Sequence, residues 1–106
     1  MTRAGVAQWL ASRAPAAPSA LAARVNQVLD AFPEERLAAE ATVSAVMGSL
    51  GVAALGSLEG RDPRSTEVAL DLLAADAFVT YAFEAAAEEG AEVAPLVSSL
   101  IARAAA

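Results

Sequence analysis

Residues 41–58 form a run of eighteen amino acids without a charged side chain, and after a short turn a second apolar segment follows over residues 63–89. The spacing of the apolar residues in both segments predicts helices. We expect the two helices to form a long αα-hairpin. Because such a hairpin is too apolar to stand alone in water, it must be buried against other helices or against a partner.

The composition indicates an all-α protein. The chain has 106 residues, of which 30 are alanine, and only 5% are aromatic. Alanine is the best helix former but buries little area, and the valines do not alternate with polar residues as they do in a strand. We therefore expect one domain, residues 1–106, folded as a small helical bundle of about five helices.

Prolines and glycines predict the helix boundaries. We expect residues 1–13 to form an N-terminal arm that docks on the rest of the bundle, and the Pro/Ala segment 14–19 to form a hinge. The second helix is clearly amphipathic, with Val25, Leu29 and Phe32 on its apolar face. The predicted helices cover residues 3–13, 19–32, 33 through the uncharged run, 63–89, and 95 onward.

The third predicted helix has two different apolar faces. Small side chains on one face allow the backbone of another helix to approach closely. The alternative is a frayed or kinked C-terminal half, since each glycine in a helix interior costs about 1 kcal/mol relative to alanine. The bulky stripe comprises Val43, Val46, Met47 and Leu50, and the small stripe comprises Ala41, Ser44, Ala45, Gly48 and Gly51.

The fourth predicted helix is apolar on nearly every side, with a main stripe of Val68, Leu72, Val79 and Phe83. Asp76 lies beside that stripe, so we expect it to be buried or interfacial and hydrogen-bonded, in a structural role. A helix of this kind needs more cover than three short helices provide, which indicates self-association or a second protein. The predicted contact residues are Ala41, Ser44, Ala45, Gly48, Gly51, Leu70, Leu73, Asp76, Phe78 and Tyr81.

The sequence excludes several kinds of chemistry. It contains no cysteine and no histidine, which removes disulfides, thiolate and imidazole catalysis, and almost all zinc, haem and copper sites. No carboxylate pair has metal-ligand spacing, and no glycine-rich phosphate loop follows a strand. We therefore predict no catalytic residue, no metal and no cofactor, and we do not expect the chain to be an enzyme.

The charge restricts the partners. The net charge is −6, and all seven basic residues are arginines, so nucleic acid is not an expected partner and an anionic membrane surface is disfavoured. The N-terminus lacks the apolar run of a signal peptide, which predicts a cytoplasmic protein. The run 41–58 is near the shortest bilayer span, but Asp71 and Asp76 in the following helix are costly at bilayer depth. A membrane-spanning hairpin is therefore not expected.

Residues 72–84, Leu-Leu-Ala-Ala-Asp-Ala-Phe-Val-Thr-Tyr-Ala-Phe-Glu, resemble a helix of polyprenyl diphosphate synthases. In that family the helix usually reads leucine-alanine-glycine-aspartate-alanine-leucine, with an alanine-phenylalanine-glutamate ending. The family's Asp-Asp-x-x-Asp motif, which holds magnesium and diphosphate, is absent here, so no catalytic residue carries over. The resemblance implies a small, helical, non-catalytic subunit of a heteromeric synthase.

Three functional hypotheses follow. The leading one is a non-enzymatic helical protein that works by association, with itself or with another helical protein, as a homo-oligomer or as a small subunit of a larger complex. The second is the regulatory subunit implied by the resemblance. The third is a carrier whose thin, alanine-lined core leaves a tunnel for an apolar ligand.

Overall fold

The computed structural model describes residues 1–105 and contains six helices and no strand in this range. The prediction of an all-α bundle is confirmed. None of the helices described is both long enough and apolar enough to cross a membrane. The helices are α1 Arg3–Ala11, α2 Ser19–Ala31, α3 Glu34–Ala39, α4 Val43–Gly56, α5 Thr66–Glu88 and α6 Val93–Ala105.

The third predicted helix is two helices, α3 and α4, which raises the count from five to six. Thr42 caps α4 because its side chain accepts a hydrogen bond from the backbone nitrogen of Ala45 at 3.2 Å. The N-terminal amino group of Met1 donates to the carbonyl oxygens of Leu37 at 3.1 Å and Glu40 at 2.7 Å. These bonds satisfy both sides of the break, so the chain turns where the apolar pattern predicted a continuous helix.

The turn before α5 is longer than predicted, since the helix begins at Thr66 and not at Pro63. Asp62 stabilises that turn instead of capping the helix: its carbonyl oxygen accepts from the backbone nitrogen of Ser65 at 3.1 Å. At the other end, Gly90 follows the helix with φ of +71°, as predicted for a glycine that stops a helix. The ends predicted for the other helices differ by one or two residues.

The centre of the fold is the antiparallel pair of α4 and α5, with the carboxylate of Glu89, just after α5, bonded to Ser44 in the first turn of α4. The two backbones lie close together because glycine occupies the contact: a Cβ added to Gly51 would lie 3.1 Å from Cγ2 of Val79. The buried residues of α5 are mostly small, namely Ala74, Ala75, Phe78, Ala82, Ala85 and Ala86.

The prediction that Leu72 belongs to the inward stripe of α5 is wrong, whereas Val68, Val79 and Phe83 of that stripe are half-buried. Leu72, assigned to the main inward stripe, is 52% exposed, and Leu73 is 54% exposed. Asp76 is exposed, so the expectation that the chain itself buries it is wrong, and the alternative that it is interfacial stays a prediction. The physical reason is the position of the α4 contact: Gly51 lies against Phe78 and Val79, so that side of α5 points inward, and Leu72 and Leu73 are left more than half exposed.

Helices α1 and α2 pack against the hairpin of α4 and α5. Val25, Leu29 and Phe32 of α2 are buried, which confirms the apolar face predicted for that helix. Val6 of α1 is fully buried among them. The Arg3 guanidinium donates to the carbonyl oxygens of Leu29 and Phe32 (2.8 Å for Phe32), so a cation caps the negative end of α2.

Candidate functional site

One face of α5 is not covered by the rest of the chain. We call it the outer face; it comprises Ala69, Leu72, Leu73, Asp76 and Thr80, all of them exposed. At helical spacing these residues lie on the side of α5 opposite the fully buried Phe78. Single exposed leucines are common on protein surfaces, but two adjacent leucines more than half exposed on one helix of the central pair form a candidate contact surface.

The C-terminal end of α4 extends this apolar surface. Gly51 lies against Val79 in an antiparallel pair, so Leu55, one turn later in α4, lies within about one helical turn of the level of Leu72. Leu55 is 39% exposed. Leu55 is therefore a third exposed leucine of the hairpin, at nearly the same level along its axis as Leu72.

The outer face carries one unpaired charge. The side chain of Asp76 makes no ion pair and no hydrogen bond with any residue in the range 1–105, so the hydrogen bond expected for it is not made within this part of the chain. The other acidic residues of α5 pair with Arg24 or Arg13. The helix itself contains no basic residue. Asp76 therefore leaves negative charge beside the two exposed leucines.

An ion-pair network joins α5 to α2 and to the preceding turn. Asp71 pairs with Arg24 of α2 and, at 2.7 Å, with Arg61, while Arg24 also pairs with Glu67 at 2.5 Å. Partial burial raises the pKa of Asp71, but the hydrogen bonds from Arg61 and Arg24 outweigh it, so the pKa lies below its ordinary value. This network holds α2 in place and takes up two of the seven arginines.

A second cluster docks α1 onto the C-terminal half of α5. The rings of Trp9 and Tyr81 meet edge to face with centroids 5.9 Å apart, and the Arg13 guanidinium lies 3.8 Å from the centre of the Trp9 ring. Arg13 also pairs with Glu88 at 2.9 Å, and the hydrogen bond that it donates lowers the pKa of that carboxyl group. Tyr81, a predicted contact residue, is therefore half-buried in an internal contact.

The small stripe of α4 is mostly used within the chain. Ser44 is buried under Glu89, whose carboxylate accepts from its hydroxyl at 2.6 Å and from its backbone nitrogen at 3.1 Å. Gly48 faces Leu100 of α6, whose Cδ2 would lie 3.0 Å from an added Cβ. Gly51 faces α5, as described above. The prediction that these three residues contact another protein is corrected: the folded chain supplies the close neighbour itself.

The other predicted contact residues are divided between the surface and the core. Leu73 and Asp76 lie on the outer face, whereas Phe78 is fully buried and Leu70 is half-buried. Ala41 is exposed in the loop before α4 and Ala45 is half-buried. Leu72 was missed as a surface residue because hydrophobicity alone assigns leucine to the interior. The signal that could have found it is the pair of polar residues, Asp76 and Thr80, that share this side of α5.

The last helix packs loosely on the hairpin. None of its residues is fully buried in the described range. A short polar chain fixes its end: Arg103 donates to the hydroxyl of Ser49 at 2.7 Å, and that hydroxyl donates to the Glu40 carboxylate at 2.8 Å. Val93 and Ile101, on the outer side of α6, are 48% and 63% exposed. This apolar row is a second, smaller exposed surface.

Among the grooves that the described residues form are two small ones, and no cluster of three or more acidic residues in this range could hold a metal ion. One groove of about 180 Å³ lies between α1, the 14–17 segment and α2, and includes Arg13, Asn26 and Tyr81. The other, of about 290 Å³, lies between α2 and α4 beside Arg36. Pockets for drug-sized ligands usually measure about 300–1,000 Å³, so both grooves are small.

No protein-family model matches the chain, and neither the curated proteins nor the solved structures include a significant match. The resemblance of residues 72–84 to a synthase helix stays a prediction.

Proposed function

We propose that the chain is a non-enzymatic interaction protein that binds another protein through the outer face of α5. The observation that carries this proposal is the pair Leu72 and Leu73, each more than half exposed on the helix whose opposite side forms the core. Covering both leucines and Leu55 removes apolar surface from water, which is the main favourable term in protein association.

The arrangement of the fold supports the same proposal. The inner side of α5 is packed by alanines and Phe78, so leucines at positions 72 and 73 add nothing to that contact. A soluble helix usually places polar residues on its exposed side. Two leucines at that side are therefore better explained by a partner than by the stability of the chain.

The experiment compares the size of the complex formed by the parent and by the double variant Leu72→Ser, Leu73→Ser. Each tagged protein is produced in the cells from which the chain comes, and clarified extract is separated by size. We expect the parent in a complex well above the 10.7 kDa of the free chain, and the variant at the free size. Helicity of the purified variant, measured by circular dichroism, should be unchanged.

The matched control is Ala20→Ser, Ala23→Ser, which makes the same number of changes to serine at two exposed positions of α2. It should stay in the complex. A parent that elutes as the free chain, or a leucine variant that elutes with the parent, would contradict the proposed function.

A further inference from the structure

We propose that the partner of the outer face is a helix of another protein, with an apolar row that covers Leu72 and Leu73 and a basic side chain that pairs with Asp76. This inference rests on the proposed function and adds the chemistry of the partner. The proposed partner is a different protein and not a second copy of this chain.

The charge beside the leucines carries the inference. Asp76 is exposed, follows Leu72 by one helical turn, and has no ion-pair partner in the described chain. A partner helix that covers Leu72 and Leu73 also covers the adjacent carboxylate. A carboxylate that loses its water without a cation is costly, so the favourable partner supplies an arginine or lysine at that position.

A second copy does not supply that cation from the same face. No basic residue lies on α5, and the arginines that pair with its carboxylates, Arg13, Arg24 and Arg61, are already bound to Glu88 or Asp71. Pairing two outer faces would bring Asp76 against leucine and alanine or against another Asp76, between chains that each carry a net charge of −6. Like charges brought together at an interface cost free energy, so the pairing of two outer faces is disfavoured.

The test uses two synthetic helical peptides of about 18 residues, or five turns. Both have leucines at i, i+4 and i+7; the flanking positions are arginine in one and glutamate in the other. Each is titrated into the ¹⁵N-labelled full chain at low salt. The arginine peptide should shift the amide signals of residues 69–80 and bind at least about fivefold more tightly than the glutamate peptide, a preference that weakens with added salt.

Charge-reversal variants separate a local effect from the net charge. Asp76→Lys should abolish or reverse the preference for the arginine peptide. The matched control Asp30→Lys changes the net charge equally at an exposed position of α2, and it should keep most of the preference. Leu72→Ser, Leu73→Ser should bind neither peptide.

The outcomes are distinguishable. Equal binding of the two peptides, or an equal loss in the two lysine variants, overturns the basic partner and leaves the interaction function in place. A stable dimer of the purified chain that the double serine variant dissociates also overturns it, because the partner is then a second copy. Binding of neither peptide to the parent overturns the inference alone, because the proposed function is decided by the size of the complex that the parent and the double serine variant form.

Discussion

Replacing Gly51 by leucine should destabilise the fold, because no space is left between α4 and α5 at this position. An added Cβ would already lie 3.1 Å from Cγ2 of Val79 and 3.5 Å from both Cβ of Phe78 and the backbone nitrogen of Val79. The rest of the leucine side chain must displace α5 or adopt a strained rotamer. Overpacking of this kind costs about 1–3 kcal/mol, and leaving glycine returns up to about 1 kcal/mol in helix propensity.

We therefore expect the free energy of unfolding to fall by up to about 2 kcal/mol relative to the parent, and to lie about 1–3 kcal/mol below that of a leucine variant whose side chain meets no neighbour, measured by urea denaturation followed by far-UV circular dichroism. For a domain of this size each 1 kcal/mol corresponds to a change in Tm of about 4–8 °C. Gly56→Leu is the matched control: it makes the same change in the same helix, where an added Cβ meets nothing within 4 Å. That variant should be neutral or slightly more stable. If Gly51→Leu is as stable as Gly56→Leu, the close α4–α5 contact is refuted.

Three further predictions concern polar and glycine contacts. Glu89→Ala removes the carboxylate that binds the first turn of α4 at Ser44 and should cost about 1–2 kcal/mol in a thermal melt; Glu89→Gln should recover part of the loss. The arginine partners of Asp71 hold its pKa below the value of about 3.9 expected in the unfolded chain. The ionised carboxylate therefore stabilises the fold above about pH 4–5, and this contribution is lost as the pH falls through the lowered pKa. In Asp71→Asn, the free energy of unfolding measured across pH 3–6 should depend less on pH than in the parent. Gly48→Leu should displace Leu100 and speed amide hydrogen exchange in α6, while α5 stays protected; unchanged exchange in α6 would contradict the close contact at Gly48.

Much of the fold could be predicted because it depends on local chemistry. The amphipathic pattern of α2 identifies Val25 and Leu29 as core residues, and Gly90 marks the end of α5 at a position where φ is positive. These features depend on period and on turn residues, which a sequence displays directly.

The break between α3 and α4 could not be predicted in the same way. Thr42 is a recognisable cap, but the carbonyl groups at the break are satisfied by Met1, more than thirty residues away in sequence. Long-range partners of this kind leave no local pattern. The apolar run on both sides of Thr42 therefore favoured one continuous helix.

The orientation of α5 illustrates how packing decides which apolar face is buried. Leucine is more hydrophobic than alanine, so a helical wheel places Leu72 inside. The contact at Gly51 is made by Phe78 and Val79, which turns that side of α5 inward and leaves the two leucines outside. Asp76 lies on the same exposed side, so it is a surface charge and not a buried packing residue. Consequently Asp76→Ala should change stability by no more than about 0.5 kcal/mol.

The most direct test of the outer face as an interaction surface is a photocrosslinking scan around α5 in the cells from which the chain comes. A photoreactive amino acid is placed in turn at three outer-face positions, Ala69, Asp76 and Thr80, and at the exposed Gln27 of α2 as the control. If the outer face binds a partner, a crosslinked product of higher mass should form from the outer-face positions and little or none from Gln27. Equal yields from all four positions, or a product from Gln27 alone, would contradict it.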